Sequence, residues 1–141
     1  MANFFETYRA TVRPDQCDEL GHLNIQHYYG ALWEGAIVLI ARMGLPPEEI
    51  AQRRIAFAAA RVETDFKREL AAGDEMVLES ALERVGSKSI TVLHRLRHGA
   101  SGEEAMVTVV TAVMMDLEAR TSVVIPDDLR AGALAMLDVL N

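Results

Sequence analysis

The sequence predicts an α+β fold over residues 1–141: one long central helix wrapped by a curved, mostly antiparallel sheet of five to six strands. Three observations carry this. The apolar segment from Ile25 to Met43 has helix signals at both ends. After Ile55 the chain alternates with a period of two between tight turns. Its 141 residues hold no internal repeat or low-complexity stretch, so they suit one domain with one core.

Thr7 to Val12 is a short strand-like run with Tyr8, Ala10 and Val12 on one face. It leads through Pro14 into the acidic turn Asp15-Gln16-Cys17-Asp18-Glu19-Leu20-Gly21-His22. Asn24 then suits a helix N-cap, its side-chain oxygen accepting from Gln26 or His27, while Gly44 and Pro46-Pro47 supply the stop. The helix between would span about 18 residues and roughly 27 Å. Tyr28, Tyr29, Leu32, Trp33, Ala36, Ile37, Leu39, Ile40 and Met43 cover most of its circumference, and Gln26, His27, Gly30 and Glu34 leave only a narrow polar strip. Such a helix is expected to be surrounded by protein. Glu34 and the two glycines also argue against a membrane span, since no charge-free stretch of about 18 residues remains.

Pro47-Glu48-Glu49 starts a short helix. Ala56 to Arg68 then sets Ala56, Ala58, Ala60, Val62, Thr64 and Phe66 against Arg61, Glu63, Asp65 and Lys67, the pattern of a half-buried strand. Glu75 to Val85 and Ser89 to Arg97 alternate in the same way, joined at Gly86-Ser87. Ala105 to Met115 is apolar or threonine throughout, as expected of a central strand covered on both faces. Thr121 to Ile125 is a last strand, and Pro126-Asp127-Asp128 opens a terminal helix. Connections this short require antiparallel pairing.

The composition excludes several classes of function. Half the residues are hydrophobic and a quarter charged, as in a soluble globular protein, and the formal charge of −7 leaves no basic stripe for nucleic acid. The amino terminus lacks a basic region followed by an apolar core, so no secretion signal is expected. One cysteine, Cys17, rules out an internal disulfide framework and fits a reducing cytoplasm. Acids flank Cys17, which does not favour a reactive thiolate. His94 and His98 stand about 13 Å apart on an extended strand, too far to share a metal. No metal-binding, Walker-type, nucleophile-elbow or dinucleotide motif occurs, so neither a metal nor a nicotinamide cofactor is expected.

The chemistry is concentrated where the acidic turn meets the helix. There a carboxylate lies in sequence beside helix-start N–H groups, which favour negative charge. A carboxylate can act as general base or nucleophile, and such N–H groups can stabilise an oxyanion.

Taken with the Gly-His-x-Asn entry into a helix bearing Tyr28 and Glu34, Asp65-Phe66 ahead of Gly73-Asp74, the Gly86-Ser87-Lys88-Ser89-Ile90 turn and the closing Arg120 to Ile125-Pro126, the acidic turn resembles that of hotdog-fold acyl-CoA thioesterases of the 4-hydroxybenzoyl-CoA thioesterase type. The resemblance covers nearly the whole chain. It implies hydrolysis of an acyl-CoA thioester with Asp18, three residues before Gly21, as nucleophile or general base. It also implies the Ile25 backbone N–H as oxyanion donor, Gly21 and His22 shaping the approach, and Asn24 fixing the donors. Many relatives carry an Asp where this chain has Gln16, and some use an acid on the helix or next strand, so Glu34 and Glu63 are reserve acids. Tyr28, Lys88, Ser89 and Arg120 are the implied substrate-binding residues, the last three near the CoA phosphates. CoA is then part of the substrate and no separate cofactor is implied. Similar proteins pair as homodimers, often further into homotetramers, with the acid and part of the CoA pocket from different subunits. Two rivals stand beside this reading: a hotdog 3-hydroxyacyl thioester dehydratase or hydratase, and a non-catalytic acyl-thioester binding protein. The acyl group is not specified.

Overall fold

The computed structural model describes residues 2–138. Its elements run β1 (Phe5–Thr11), a 3-10 turn (Pro14–Gln16), α1 (Ile25–Met43), α2 (Pro47–Arg53), β2 (Ile55–Phe66), β3 (Glu75–Val85), β4 (Ser89–His98), β5 (Glu104–Asp116), β6 (Thr121–Ser122) and α3 (Asp127–Asp138). The strands form one antiparallel sheet in the order β1-β3-β4-β5-β2, with β6 paired to β5. The sheet curves around α1.

The ends of α1 follow the sequence signals. Asn24 caps it through a side-chain oxygen that accepts the Gln26 N–H at 3.1 Å, and Gly44 closes it in the left-handed region at φ 118°. Midway, Gly35 lets the helix approach the sheet closely, because a Cβ there would meet the Leu78 side chain and, at 2.7 Å, the Thr7 Oγ1.

The core divides along the helix. Its amino-terminal half packs Leu23, Tyr28 and Leu32 against Leu70, Met76, Leu78, Leu96 and Met106. The carboxy-terminal half packs Leu39 and Met43 against Ile90, Met114, Ile125 and Leu129. A row of polar side chains crosses the sheet floor between them. Thr7 and Ser80 share a hydrogen bond of 2.7 Å, Ser80 reaches His94 Nδ1 at 2.7 Å, and Thr108 meets Thr64, which accepts from the Tyr29 hydroxyl. Burial pushes the His94 imidazole down from 6.5 to about 4, so it is neutral at ordinary pH.

Several expectations need correction. Alone, the chain does not surround α1: Tyr28, Ala31, Leu32, Gly35, Leu39 and Met43 are buried, but Trp33 is 68% exposed, and Ile25 and Val38 also face solvent. The reason is the position of β2. It is the sheet edge next to that open face, and most of its residues are exposed instead of half-buried. β5 is covered on one face only, with Ala105, Met106, Thr108, Ala112 and Met114 inside and Val109 outside. The strand buried on both faces is β3: Leu78 and Leu82 pack into the core under the helices, and Val77 and Ala81 are buried on the opposite face. The last strand is shorter than expected, Thr121–Ser122, although Val123 and Ile125 still donate backbone hydrogen bonds to Met114 and Ser87.

Candidate active site

The acidic turn is held from both sides before any chemistry enters. Gln16 is buried; its side-chain oxygen accepts the Arg13 N–H at 2.9 Å and its carbonyl accepts the Asn24 N–H at 2.9 Å. The departure from the two-acid pattern is therefore a structural brace. Cys17 and Leu23 form a short antiparallel bridge, and Leu23 N–H donates to the Leu70 carbonyl at 2.7 Å, joining the turn to the β2–β3 connection.

Asp18 sits at the tip of this hairpin-like turn. One carboxylate oxygen accepts the Leu20 N–H at 3.0 Å, and the other accepts the Asn24 side-chain N–H at 3.1 Å. Its backbone closes the turn, accepting from Gly21 and donating to His22. Gly21 adopts φ 85°, a conformation suited to glycine. With both oxygens anchored, the carboxylate keeps lone pairs free on each.

At the helix start, the Gln26 and His27 N–H groups are taken by the Asn24 side chain and carbonyl, while the Ile25 N–H has no acceptor among the described residues. Asp18, His22, Leu23, Asn24, Ile25 and Tyr28 line one cleft of about 430 Å³, with Phe66, Lys67, Arg68 and Glu69 on its far side. That volume lies within the range of small-molecule sites, about 300–1,000 Å³. Tyr28 and Phe66 meet edge to face at 5.1 Å and form an aromatic wall. Burial, and after it the charge of Glu69, raises the Tyr28 phenol, which stays protonated and donates to the Arg68 carbonyl at 3.5 Å. His22 Nε2 stands 3.7 Å from Glu69.

The cleft thus gathers Asp18, Gly21 by its turn, His22, Asn24, Ile25 and Tyr28. It does not include the reserve acids or the residues expected near CoA. Glu34 is exposed on α1, nine residues and about 14 Å beyond Ile25 along the axis. Glu63 is paired with Arg61 at 2.6 Å and belongs to the outer face of the sheet. Lys88 and Ser89 sit by the β3–β4 turn, which α3 grips through Arg130 and the Gly86 and Ser87 carbonyls. Arg120 lies in the β5–β6 turn at φ 60°. Both turns belong to the end of the molecule where α1 terminates, a helix length of roughly 28 Å from Asp18 within one chain. Sequence reasoning missed Lys67, Arg68 and Glu69. The adjacent cations just past Phe66 were the available signal, but in sequence they look like the solvated end of a strand.

Among the described residues, no three His, Cys, Asp or Glu side chains are grouped to hold a metal, and no helix is long and apolar enough to cross a membrane.

A long helix cradled by a curved antiparallel sheet, with its polar cleft at the helix start, defines a hotdog-fold protein. The thioesterase-like superfamily model matches residues 12–132, and the chain belongs to that family. This meets the expectation of a hotdog thioesterase. No curated protein matches the chain. Solved structures do. A Staphylococcus aureus protein in complex with CoA superposes with a TM-score of 0.87 at 16% identity, covering 96% of this chain and 85% of that one. A 1,4-dihydroxy-2-naphthoyl-CoA thioesterase from Synechocystis gives 0.81 at 14% identity, covering 99% of each chain. A gentisyl-coenzyme A thioesterase gives 0.79 at 19% identity, covering 89% of this chain and 98% of that one.

Proposed function

We propose that this protein hydrolyses an acyl-CoA thioester to a carboxylic acid and CoA, with Asp18 as nucleophile or general base. The observation that carries the reading is the pairing of an anchored carboxylate with an unengaged helix-start N–H across one cleft. Asp18 either takes a proton from water as its oxygen bonds to the carbonyl carbon, or bonds to that carbon itself. The carbonyl oxygen gains negative charge and is met by the Ile25 N–H, a kind of contact worth about 10²–10³ in rate. The C–S bond then breaks, CoA leaves as thiolate and takes up a proton; if Asp18 attacked directly, water cleaves the resulting anhydride. Asn24 fixes both partners at once, and His22 with Gly21 shapes the approach. The resemblance to a fold that holds CoA in a Staphylococcus aureus relative supports CoA as the leaving half.

The open face of α1 supports a second copy as partner. Trp33, Ile25, Val62 and Phe66 form an apolar surface beside the unpaired edge of β2, and such surfaces associate. In a homodimer, with or without assembly into a tetramer, Lys88, Ser89 and Arg120 of one copy would serve the Asp18 cleft of the other, with Lys67 and Arg68 adding positive charge locally. The lone thiol of Cys17 fits a reducing, cytoplasmic setting.

The test is release of free thiol from a panel of short, long and aromatic acyl-CoAs. Steady thiol release supports hydrolysis. An enoyl absorbance without thiol would favour the dehydratase, and tight binding without either product would favour the binding protein.

A further inference from the structure

The open face of α1 and the α1-facing side of β2 run side by side away from the Asp18 cleft, and their side chains pair in three steps. Ile25, Tyr29 and Trp33 follow one another at four-residue spacing on the helix, and Phe66, Thr64 and Val62 at two-residue spacing on the strand, so neighbours in each series share a face. One step is about 6 Å on the helix and about 6.6 Å on the strand, which keeps the two series level. The first pair, Ile25 and Phe66, lines the cleft. The third pair, Trp33 and Val62, is apolar and exposed. Between them the middle pair is polar and joined: the Tyr29 hydroxyl donates to Thr64 Oγ1 at 3.0 Å, tying helix to strand.

This contact is anchored deep in the sheet. Thr64 lies opposite Thr108, Thr108 opposite His94, and His94 opposite Ser80 in the strand register. The hydroxyls of Thr64 and Thr108 are 3.2 Å apart, and Ser80 meets both His94 Nδ1 and Thr7 Oγ1 at 2.7 Å. Thr7, Ser80, His94 and Thr108 are all buried. A buried row of this kind is rigid. It fixes Thr64, and through Thr64 the Tyr29 ring, at the open face.

We propose that the Tyr29–Thr64 contact is the end wall of the acyl site and limits the substrate to a short acyl chain, an inference that rests on the hydrolase reading above. With the thioester carbonyl at the Ile25 N–H, the apolar course out of the cleft runs past Ile25 and Phe66, whereas Lys67, Arg68 and Glu69 charge its other side. That course meets the Tyr29 ring about 6 Å on, one helical step beyond Ile25. A longer chain reaches the Trp33 and Val62 surface only by displacing Tyr29 from Thr64.

The test is the ratio of kcat/KM for decanoyl-CoA to that for butanoyl-CoA, which partial unfolding leaves unchanged because both esters meet the same folded molecules. Wild type is expected to favour butanoyl-CoA by about tenfold or more. Tyr29→Ala should raise the ratio by about tenfold or more. Tyr29→Phe, which keeps the ring and loses the bond, and Thr64→Val, which removes the acceptor, should raise it less. A wild type that favours decanoyl-CoA, or a ratio unchanged in Tyr29→Ala, would overturn the assignment; should that variant not fold, Thr64→Val decides by the same ratio. If wild type releases thiol from neither ester, the hydrolase reading fails, and the calorimetric affinities of the two esters for wild type and Tyr29→Ala then decide the end wall, with the same change in ratio expected.

Discussion

Asn24 holds Asp18 with one end of its amide and the first turn of α1 with the other, at 3.1 Å in each direction. The cap of the longest helix and the anchor of the candidate catalytic acid are thus one side chain, and helix stability and carboxylate position are coupled through it.

Substitutions at Asn24 separate the two roles. Asn24→Ala removes cap and anchor together and should cost about 1 kcal/mol of stability along with turnover. Asn24→Asp keeps an acceptor for Gln26 but sets a second negative charge against Asp18. Its stability in urea should fall at neutral pH through like-charge repulsion and recover on acidification, while its pH–rate profile moves to higher pH for the same reason.

Taken with the proposed homodimer, the separation of Lys88 and Arg120 from Asp18 within one chain predicts complementation between copies. Asp18→Asn and the double variant Lys88→Ala, Arg120→Ala should each be weak at low substrate. Mixed after unfolding and refolding, they should recover roughly a quarter of wild-type activity, because half the dimers are mixed and each mixed dimer holds one intact site. Activity that never exceeds the mean of the two parents would mean that the site lies within one chain.

His94 makes folding depend on pH in a definite direction. Its pKa is lowered to about 4 in the fold against an ordinary 6.5. Between those values the unfolded chain binds the extra proton, so stability falls as pH drops from about 6.5 to about 4 and is unaffected by this group above 6.5. The full effect is roughly 3 kcal/mol. Urea midpoints at pH 7 and pH 5 should differ in the wild type. In His94→Leu, where Ser80 keeps its bond to Thr7, that contribution should disappear.

Gly35→Ala tests the approach of α1 to the sheet. The new methyl meets the ends of Leu78 and Thr7, both buried, and displacing them should cost about 2 kcal/mol in thermal or urea unfolding.

Much of this architecture was legible because local chemistry dictated it. Asn24 and Gly44 marked the ends of α1 to the residue, since capping is a short-range matter of side-chain oxygens and left-handed φ. The turn at Asp18 was legible for the same reason. Burial was less so: alternation in β2 describes what a strand could bury, and β2 lies at the sheet edge, where Val62 stays exposed and Phe66 is covered only in part, by Tyr28. Lys67 and Arg68 escaped notice because their place at the cleft depends on the Leu23–Leu70 hydrogen bond, a contact 47 residues apart in sequence. The role of Gln16 was hidden too, because its value lies in two backbone partners and not in its charge.

The most direct test is single-turnover thiol release by Asp18→Asn, with acyl-CoA binding and thermal midpoint measured on the same protein. Loss of at least a hundredfold in the rate of C–S cleavage, with binding and folding near wild type, is the predicted result. A rate within a few-fold of wild type would contradict the account and move the chemistry away from the start of α1.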